Sequence, residues 1–292
     1  MDFVKMHGLG NDFVVLEKTG LEDVSSLSRR LCDRHFGIGA DGLVLILPSD
    51  RADFRMRIIN PDGSEAEMCG NGIRCAAKRF LERGKTYSTE ENAVELIVET
   101  LAGIRLVRAF RDPAGAFGRI EVNMGEPVLS PEAIPVLIDA ERVLDHPLDV
   151  DGKRYPATCL SLGNPHCVLF LDEDVGDVDV AAPGRLIESL PIFPNRTNVE
   201  FVNVLGKGEI KLRAWERGAG ETLACGTGAC AAVVAGFLTG RLDEKATARL
   251  PGGDLEIVWT KNGAVLMTGP AETVFYGSIP DQSPRASDRT AG

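Results

Sequence analysis

The chain has 292 residues, of which 44% are hydrophobic and 26% charged, a balance typical of a globular protein and unlike that of a mainly disordered chain. With 43 acidic and 32 basic residues, its formal net charge is −11 at pH 7, which disfavours binding to the phosphate backbone of a nucleic acid. The longest apolar run, Ala229–Leu238, is shorter than the roughly 18 residues that a membrane-spanning helix needs.

Short segments rich in aliphatic and aromatic residues, bounded by Gly, Pro, Asn or Asp, recur along the chain and predict β-strands. In order, they are Phe13–Leu16, Leu43–Leu47, Phe54–Ile59, Glu95–Glu99, Val168–Phe170, Val199–Val204, Ile210–Trp215 and Leu255–Trp259. Helices are predicted over Val24–Cys32, Ile73–Leu81 and Ala229–Leu238, and the last is apolar all round, as in a helix enclosed by a core. Residues 279–292 show no apolar period, which predicts a disordered tail.

The cysteines and the amino terminus bear on the cellular compartment. There are seven cysteines, which is an odd number: Cys32, Cys69, Cys75, Cys159, Cys167, Cys225 and Cys230. The first residues, Met1–Lys5, lack the basic and apolar regions of a secretory signal. A disulfide framework is therefore disfavoured, and a cytoplasmic location with reduced thiols is expected.

Two stretches of the chain repeat the same motifs at nearly the same spacing. Gly8–Val15 resembles Leu162–Leu169, and Glu67–Gly72 resembles Leu223–Gly228. The asparagine of the first motif precedes the cysteine of the second by 58 residues in one copy and by 61 in the other. This internal repeat, in a chain long enough for two domains, predicts an α+β fold of two pseudo-symmetric domains, residues 1–125 and 126–269.

Each copy carries one Cys-Gly-x-Gly element directly before a helical run, at Cys69 and at Cys225. The free N–H groups at the start of each helix should stabilise a thiolate, lower its pKa and bind a carboxylate. Two such sites facing each other suit inversion at a carbon next to a carboxylate. One thiolate removes the α-proton and the opposite thiol delivers a proton to the other face. Cys75 and Cys230 turn away on their helices and are interpreted as core residues.

Other polar residues near these motifs are candidates for the same cleft. His166 lies in the second copy of the repeat and is expected to tune the thiols. Arg217, beside the second cysteine loop, can fork a substrate carboxylate, and Glu216 can accept from an amino group. Asn60 and Asn198 are turn residues by default, but their offsets from the two cysteines favour a place in the site.

Several other patterns point to chemistry that the context does not support. Gly37–Gly42 fits the dinucleotide-binding pattern Gly-x-Gly-x-x-Gly, but Leu43–Leu47 after it is predicted to be a strand, whereas that pattern opens a helix. The cysteines and the four histidines show no zinc-ligand spacing. Neither repeat motif contains the lysine that a pyridoxal phosphate Schiff base needs. Thiol–disulfide exchange between two facing cysteines remains an alternative.

The motifs, taken in this order, resemble the diaminopimelate epimerase family, which acts without pyridoxal phosphate. The resemblance covers nearly the whole chain and runs through Met6–Phe13, Asn60–Ser64, Met68–Cys75, Gly163–Val168, Arg196–Glu200 and Trp215–Gly228. It implies two similar domains, each a mixed, mostly antiparallel sheet curled around a central helix. It also implies a C-terminal strand, about residues 270–278, that returns to the first domain, and a homodimer.

By this resemblance, the chain would convert LL-2,6-diaminopimelate reversibly to the meso form, in the synthesis of lysine and of peptidoglycan precursors. It implies Cys69 and Cys225 as the acid/base pair, His166 and Glu216 as residues that support the thiols, and neither a metal nor a cofactor. The substrate-binding residues that the resemblance implies are Asn11, Asn60, Gly70, Asn71, Asn164, Asn198, Glu216, Arg217, Gly226 and Thr227.

Three competing interpretations stay open. A racemase of the same architecture acting on proline or hydroxyproline would leave Arg217 and the asparagines unexplained, since such a substrate has no second amino-acid end. A related isomerase that uses a carboxylate is disfavoured by the presence of both thiols. From a different class, the facing cysteines could form the switch of a redox-sensing binding protein.

Overall fold

The computed structural model describes residues 1–83, 93–260 and 262–280. Of the tail predicted at residues 279–292, residues 281–292 lie outside the described residues. Within the described ranges, no helix combines the length and the apolar character that crossing a membrane requires.

The first half of the chain forms one curled sheet with two helices. Its elements are β1 (Asp2–Gly8), β2 (Asn11–Leu16), α1 (Val24–Cys32), β3 (Gly42–Leu47), β4 (Phe54–Ile59), β5 (Glu65–Ala66), α2 (Gly70–Leu81), β6 (Ala93–Thr100), β7 (Gly103–Arg111) and β8 (Phe117–Asn123). The strands lie in the order β1-β2-β3-β4-β6-β7-β8, with the short β5 paired to β4. Neighbours are antiparallel except for the parallel pairs β2–β3 and β4–β6.

The second half repeats this arrangement. Its elements are β9 (His146–Val150), β10 (Lys153–Ser161), β11 (Pro165–Phe170), α3 (Ala181–Glu188), β12 (Asn198–Gly206), β13 (Glu209–Glu216), β14 (Gly220–Thr222), α4 (Gly226–Leu238), β15 (Lys245–Leu250), β16 (Gly253–Trp259), β17 (Val265–Pro270) and β18 (Glu272–Ser278). The order is β10-β11-β12-β13-β15-β16-β17, with β14 paired to β13. The parallel pairs, β11–β12 and β13–β15, occupy the equivalent places.

The two halves join edge to edge where β8 pairs with β17. At the far edges, β9 pairs with β10, and the last strand, β18, crosses back to pair with β1 in the equivalent place. The fold is thus two pseudo-symmetric α+β units with a mostly antiparallel sheet. We propose residues 1–125, together with the strand near 270–278, and residues 126–269 as the two domains.

One helix of each half is enclosed by its sheet. α2 and α4 contribute to a single large apolar cluster, whereas α1 and α3 each cover a smaller cluster on the outside. α4 is built almost wholly from buried Gly, Ala, Cys and Val, whose short side chains let the sheet curl closely around it. A β-carbon on Gly236 would meet Leu242 at 2.5 Å, so the packing there has no room for one.

The structure confirms the three predicted helices, and two of them begin earlier than predicted. α2 and α4 begin three residues before the predicted Ile73 and Ala229, because the Cys-Gly-x-Gly glycines are already helical. No helix was predicted over Ala181–Glu188, the segment that forms α3 and contains Pro183 and Gly184. Proline is tolerated in the first turn of a helix, and a β-carbon on Gly184 would come within 2.6 Å of Trp215. The glycine therefore allows close packing of α3.

Candidate active site

Cys69 and Cys225 occupy equivalent positions as the N-cap residues of α2 and α4. Both have extended backbone angles, with φ and ψ of −143° and 120° for Cys69 and −104° and 105° for Cys225. Each sulfur accepts a hydrogen bond from the backbone N–H three residues on, at 3.4 Å from Gly72 and 3.3 Å from Gly228. The first N–H groups of each helix therefore converge on a thiol, as the repeated motif predicted.

The net effect on the thiols differs from the expectation of a lowered pKa. Burial raises the pKa of the Cys69 thiol, and the N–H groups of Gly72 and Asn71 offset this only in part. Burial raises the pKa of Cys225 well above its usual value, and the nearby carboxyls of Glu216 and Glu200 raise it further. The prediction is wrong because the loss of water around a thiolate destabilises it more than the helix N–H groups stabilise it.

The first residues of α2 and of α4 both approach the Met267 side chain. A β-carbon on Gly70 would lie 2.7 Å from Met267 Cε, and one on Gly226 would lie 3.0 Å from its Sδ. A larger residue at either glycine would require the end of the Met267 side chain to shift. The two glycines that follow the cysteines therefore let both helix N-termini approach the same point between the two halves.

Asn71 spans the gap between the two cysteine loops. Its Nδ2 donates to Asn11 Oδ1 and to the backbone oxygen of Ala224, each at 3.1 Å. Ala224 directly precedes Cys225, and Asn11 Oδ1 also accepts from the Cys69 thiol at 3.9 Å. The structure thus brings together the residues that were predicted to hold the reacting end of a substrate.

His166 is fully buried and lies beside the second cysteine. Its Nε2 is 3.0 Å from Asn164 Oδ1, and its Nδ1 is 2.7 Å from Glu200 Oε1. Asn164 Nδ2 donates to Thr227 Oγ1 at 3.2 Å, and that hydroxyl lies 3.6 Å from Cys225 Sγ. A continuous set of contacts therefore leads from His166 to the thiol.

Glu216, at the end of β13, also faces Cys225. Burial raises the pKa of its carboxyl, and a 2.5 Å hydrogen bond from Thr222 Oγ1 offsets this only in part. A hydrogen bond with the Cys225 thiol also lowers the pKa. The carboxyls of Glu216 and Glu200 therefore both act on the second thiol, whereas the first thiol contacts the side-chain amide of Asn11.

Arg217 lies at a more exposed part of the cleft, next to Asn198. The Asn198 side chain accepts from the Arg217 N–H and donates to the backbone oxygen of Pro165, both at 2.9 Å. The Arg217 guanidinium donates to the backbone oxygen of Asn195 at 3.0 Å. Within residues 1–83, 93–260 and 262–280, no carboxylate lies within ion-pair distance of it. The guanidinium is thus positioned to bind an anion from outside.

Asn60 is held in the turn after β4. Its backbone N–H and its Nδ2 donate to Ser64, at 2.8 and 3.0 Å. Among the described residues, no hydrogen bond joins Asn60 to another predicted site residue, so its role in the site stays a prediction.

Three residues with a clear structural role in the cleft were not selected from the sequence: Arg74, Glu188 and Glu200. Glu200 and Arg74 are fully buried. Their signal was a charge inside an apolar segment, since Glu200 interrupts the predicted strand Val199–Val204 and Arg74 opens the predicted helix Ile73–Leu81. Glu188 carried no such signal, because α3 itself was not recognised.

Glu188 ties together the two loops that carry Asn198 and Arg217. Its carboxylate accepts from Trp215 Nε1 at 2.7 Å and from the Gly218 N–H at 3.0 Å, and it is 7% exposed. It also pairs with the Arg196 guanidinium at 3.5 Å. One buried side chain thus fixes both sides of the Arg217 turn.

Solved structures share this two-unit fold. A probable proline racemase from Agrobacterium radiobacter K84 matches with a TM-score of 0.72 and 16% identity, over 98% of this chain and 94% of that one. A hydroxyproline epimerase from Agrobacterium vitis matches with a TM-score of 0.70 and 17% identity, over 97% and 93%. At such identities the likeness shows the fold alone. Fold and site together define a two-domain protein with a cysteine at the cap of each central helix.

The sequence comparisons are more specific. The family model described as diaminopimelate epimerase matches residues 3–130 and 158–274. A diaminopimelate epimerase from Moorella thermoacetica is 53% identical over 96% of this chain and 99% of its own length, and one from Methanococcus maripaludis is 48% identical over 96% and 99%. The chain belongs to the diaminopimelate epimerase family. It is therefore an isomerase of amino-acid biosynthesis that acts on a small-molecule substrate.

We expect Glu188→Ala to lower kcat/KM for epimerisation about tenfold, mainly through KM, because the Arg217 turn loses its anchor. The half-buried Trp215 and exposed Gly218 donors that lose this acceptor can bind water instead, so the loss of unfolding free energy should be about 1 kcal/mol. Steady-state kinetics and urea unfolding measure the two effects. Glu188→Gln keeps one acceptor oxygen, so its KM and its unfolding free energy should lie between those of the wild type and of Glu188→Ala. An unchanged KM alongside the loss of stability would limit Glu188 to a structural role.

Proposed function

We propose that the protein interconverts LL- and meso-2,6-diaminopimelate by a two-thiol mechanism without a cofactor. The observation that carries the proposal is the equivalence of Cys69 and Cys225, each capping the central helix of its half. The two helix starts lie against the same Met267 side chain and are bridged by Asn71. A lone base exchanges a proton without readily inverting the carbon, whereas two opposed thiols deliver inversion.

The helix starts supply the binding site for the reacting carboxylate. The backbone N–H groups of Gly70, Asn71, Gly226 and Thr227 have no acceptor within their own helices, since they belong to the first turn. When one thiolate removes the α-proton, negative charge develops on the carboxylate that these groups hold. Preorganised donors stabilise this charge more in the transition state than in the ground state.

The opposite thiol then donates its proton to the other face of the carbon. The pair must hold one proton between them in the free enzyme, and each direction of the reaction uses the opposite arrangement. We assign Asn11 and Glu216 to the substrate's reacting end, where Glu216 accepts from the α-amino group. His166 supports the second thiol through Asn164 and Thr227.

The other amino-acid end of the substrate is assigned to the exposed part of the cleft. Arg217 offers its guanidinium to the distal carboxylate, and Asn60, Asn164 and Asn198 offer amides to the distal polar groups. Supporting this assignment, the guanidinium faces no carboxylate within the described part of the chain. A proline-type substrate would leave this charge without a partner.

We further propose that the enzyme is a cytoplasmic homodimer that serves lysine and peptidoglycan precursor synthesis. Its cysteines are all free, which suits a reducing compartment. β18 pairs with β1 on one side, and it exposes three large apolar side chains, Val274, Phe275 and Tyr276. An apolar strand of this kind favours burial against a second copy.

The test is to incubate the reduced protein, without added cofactor, with LL-diaminopimelate in deuterated water. We expect the meso isomer to appear with one solvent deuterium at the inverted α-carbon, as measured by chiral separation and mass spectrometry. The absence of both inversion and exchange, from folded protein with titratable thiols, would overturn the assignment. Turnover of proline or hydroxyproline instead would favour the racemase interpretation. Turnover of disulfide substrates would favour the redox interpretation.

A further inference from the structure

Arg74 is a fully buried arginine in the second turn of α2, with an exposed fraction of 0%. Its guanidinium donates to the backbone oxygens of Gly70 and Pro270, both at 3.0 Å, and to Asn71 Oδ1 at 2.9 Å. It also contacts Met267 Sδ at 3.9 Å. In the described ranges of the chain, no carboxylate pairs with it.

The surroundings are shaped to hold this guanidinium. A β-carbon on Gly8 would come within 2.9 Å of Arg74 Nη2, and one on Gly269 within 3.2 Å of its Nε. Gly8 belongs to the first half of the chain and Gly269 to β17 of the second. The two glycines therefore leave room for a planar side chain at the boundary between the halves.

A buried charge without a partner lowers the stability of the folded protein, so the buried guanidinium needs a group that balances its positive charge. The titratable groups that act on Arg74 are the thiols of Cys69, Cys75 and Cys230. Burial raises the pKa of Cys75 to about 12 and that of Cys230 still higher, so both stay protonated at neutral pH. Burial raises the pKa of Cys69 as well, but the N–H groups of Gly72 and Asn71 lower it, and the Arg74 guanidinium bonds to Gly70, the residue directly after Cys69.

Arg74 also controls the side chain that bridges the two cysteine loops. It fixes the oxygen of the Asn71 amide, and this directs the nitrogen to Asn11 and to the backbone oxygen before Cys225. Within the described part of the second half, no arginine takes the equivalent position. The residue five positions after Cys225 is Cys230, whereas the residue five positions after Cys69 is Arg74.

We propose that Arg74 is a positioning residue for the reaction, which locks the Asn71 bridge and supplies the fixed positive charge that balances an anion at Cys69. The inference rests on the proposed two-thiol function. It makes the two ends of the site unlike, because a buried guanidinium bonds to the two residues after Cys69, whereas the equivalent position after Cys225 holds Cys230.

The two roles of Arg74 can be separated with two substitutions. Arg74→Lys keeps the charge and loses the fork that holds Asn71, and Arg74→Met loses both. The other groups that act on Cys69, namely Glu216 and the N–H groups of Gly72 and Asn71, are unchanged in either variant. Arg79→Met is the matched control, because it removes an arginine of the same helix that is already paired with Glu17.

In the experiment, iodoacetamide labels the folded enzyme at a series of pH values. Mass spectrometry of the peptides obtained afterwards gives the labelling rate of each cysteine. The rate follows the thiolate fraction. For Arg74→Met we expect labelling of Cys69 at neutral pH to fall about tenfold, equal to an upward shift of about one pH unit, with Cys225 unchanged. Arg74→Lys should keep the wild-type profile of Cys69 and still lower kcat. Arg79→Met should match the wild type in the labelling profile of Cys69 and in kcat.

The core thiols Cys75 and Cys230 report on folding in the same experiment, since a loosened variant would label there as well. A Cys69 profile unaltered in a folded Arg74→Met variant would overturn the charge balance. A normal kcat in Arg74→Lys would overturn the positioning role. Labelling needs no turnover, so a wild type that fails to epimerise diaminopimelate would contradict the proposed function while leaving this readout intact.

Discussion

Replacing either catalytic cysteine with alanine is expected to abolish epimerisation, with turnover lower by about 10³-fold or more. Cys69→Ala and Cys225→Ala each leave one thiol, which cannot both remove a proton from one face and deliver one to the other. The loss should be equal in the two directions of the reaction, because each direction needs both groups. Conversion of LL- to meso-diaminopimelate and the reverse, followed by chiral separation, measures it.

The two variants should nevertheless differ in what they still do. The remaining thiol reaches the α-hydrogen of one stereoisomer only, so each variant should exchange solvent deuterium into one isomer without inverting it. Cys69→Ala and Cys225→Ala should therefore label opposite isomers. Labelling of the same isomer by both variants would show that the thiols do not lie on opposite faces of the carbon.

Cys75→Ala and Cys230→Ala are the matched controls, because they remove a thiol from the same two helices. Both sulfurs lie in the core, so the change should cost about 1 kcal/mol of stability. Turnover should stay within about twofold, since neither thiol faces the cleft. Near-normal turnover in Cys69→Ala or Cys225→Ala, against these controls, would rule out the two-thiol mechanism.

The same thiols set the direction of the pH dependence. Burial raises the pKa of both, and that of Cys225 is raised further than that of Cys69. The reaction needs one thiolate, so kcat/KM should climb as the pH rises and the first thiol ionises. It should fall again only where the second thiol loses the proton that it must deliver.

The sequence was sufficient for the fold class and for the two cysteines at the helix caps, because both are encoded twice. Cys69 and Cys225 stand out only as a duplicated pair, and a single cysteine before a glycine would have been taken for a core residue. The helices after them were visible from their apolar period. Their starts were placed late because glycine has no helical signal of its own, although here it begins the helix.

What the sequence could not show depends on contacts between distant segments. Glu188 anchors the Arg217 turn from α3, a helix that was not predicted. Asn71 was selected for its backbone N–H, yet its side chain joins residues separated from it by 60 and 153 positions. The direction of the thiol pKa shifts was also predicted wrongly, since local helix dipoles can be read from a motif and burial cannot.

Arg217→Met is expected to lower kcat/KM for diaminopimelate by about 10²- to 10³-fold, or about 3–4 kcal/mol, if its charge pair with the distal carboxylate is desolvated. Most of the loss should fall on KM, because the distal carboxylate does not change during the reaction. Arg154→Met is the control, an exposed arginine already paired with Asp149 at 2.9 Å and expected to leave both constants unchanged.

Truncating the substrate tests the same contact from the other side. An α-amino acid of equal chain length without the distal amino and carboxyl groups should be a poor substrate for the wild type, by a similar factor. Arg217→Met should process this analogue as well as the wild type does, because the interaction has already been removed. If the substitution and the truncation each lower kcat/KM independently, the two factors multiply when they are combined. That result would show that Arg217 binds something other than the distal end. Equal losses that do not multiply would instead place the guanidinium on the carboxylate that distinguishes diaminopimelate from proline.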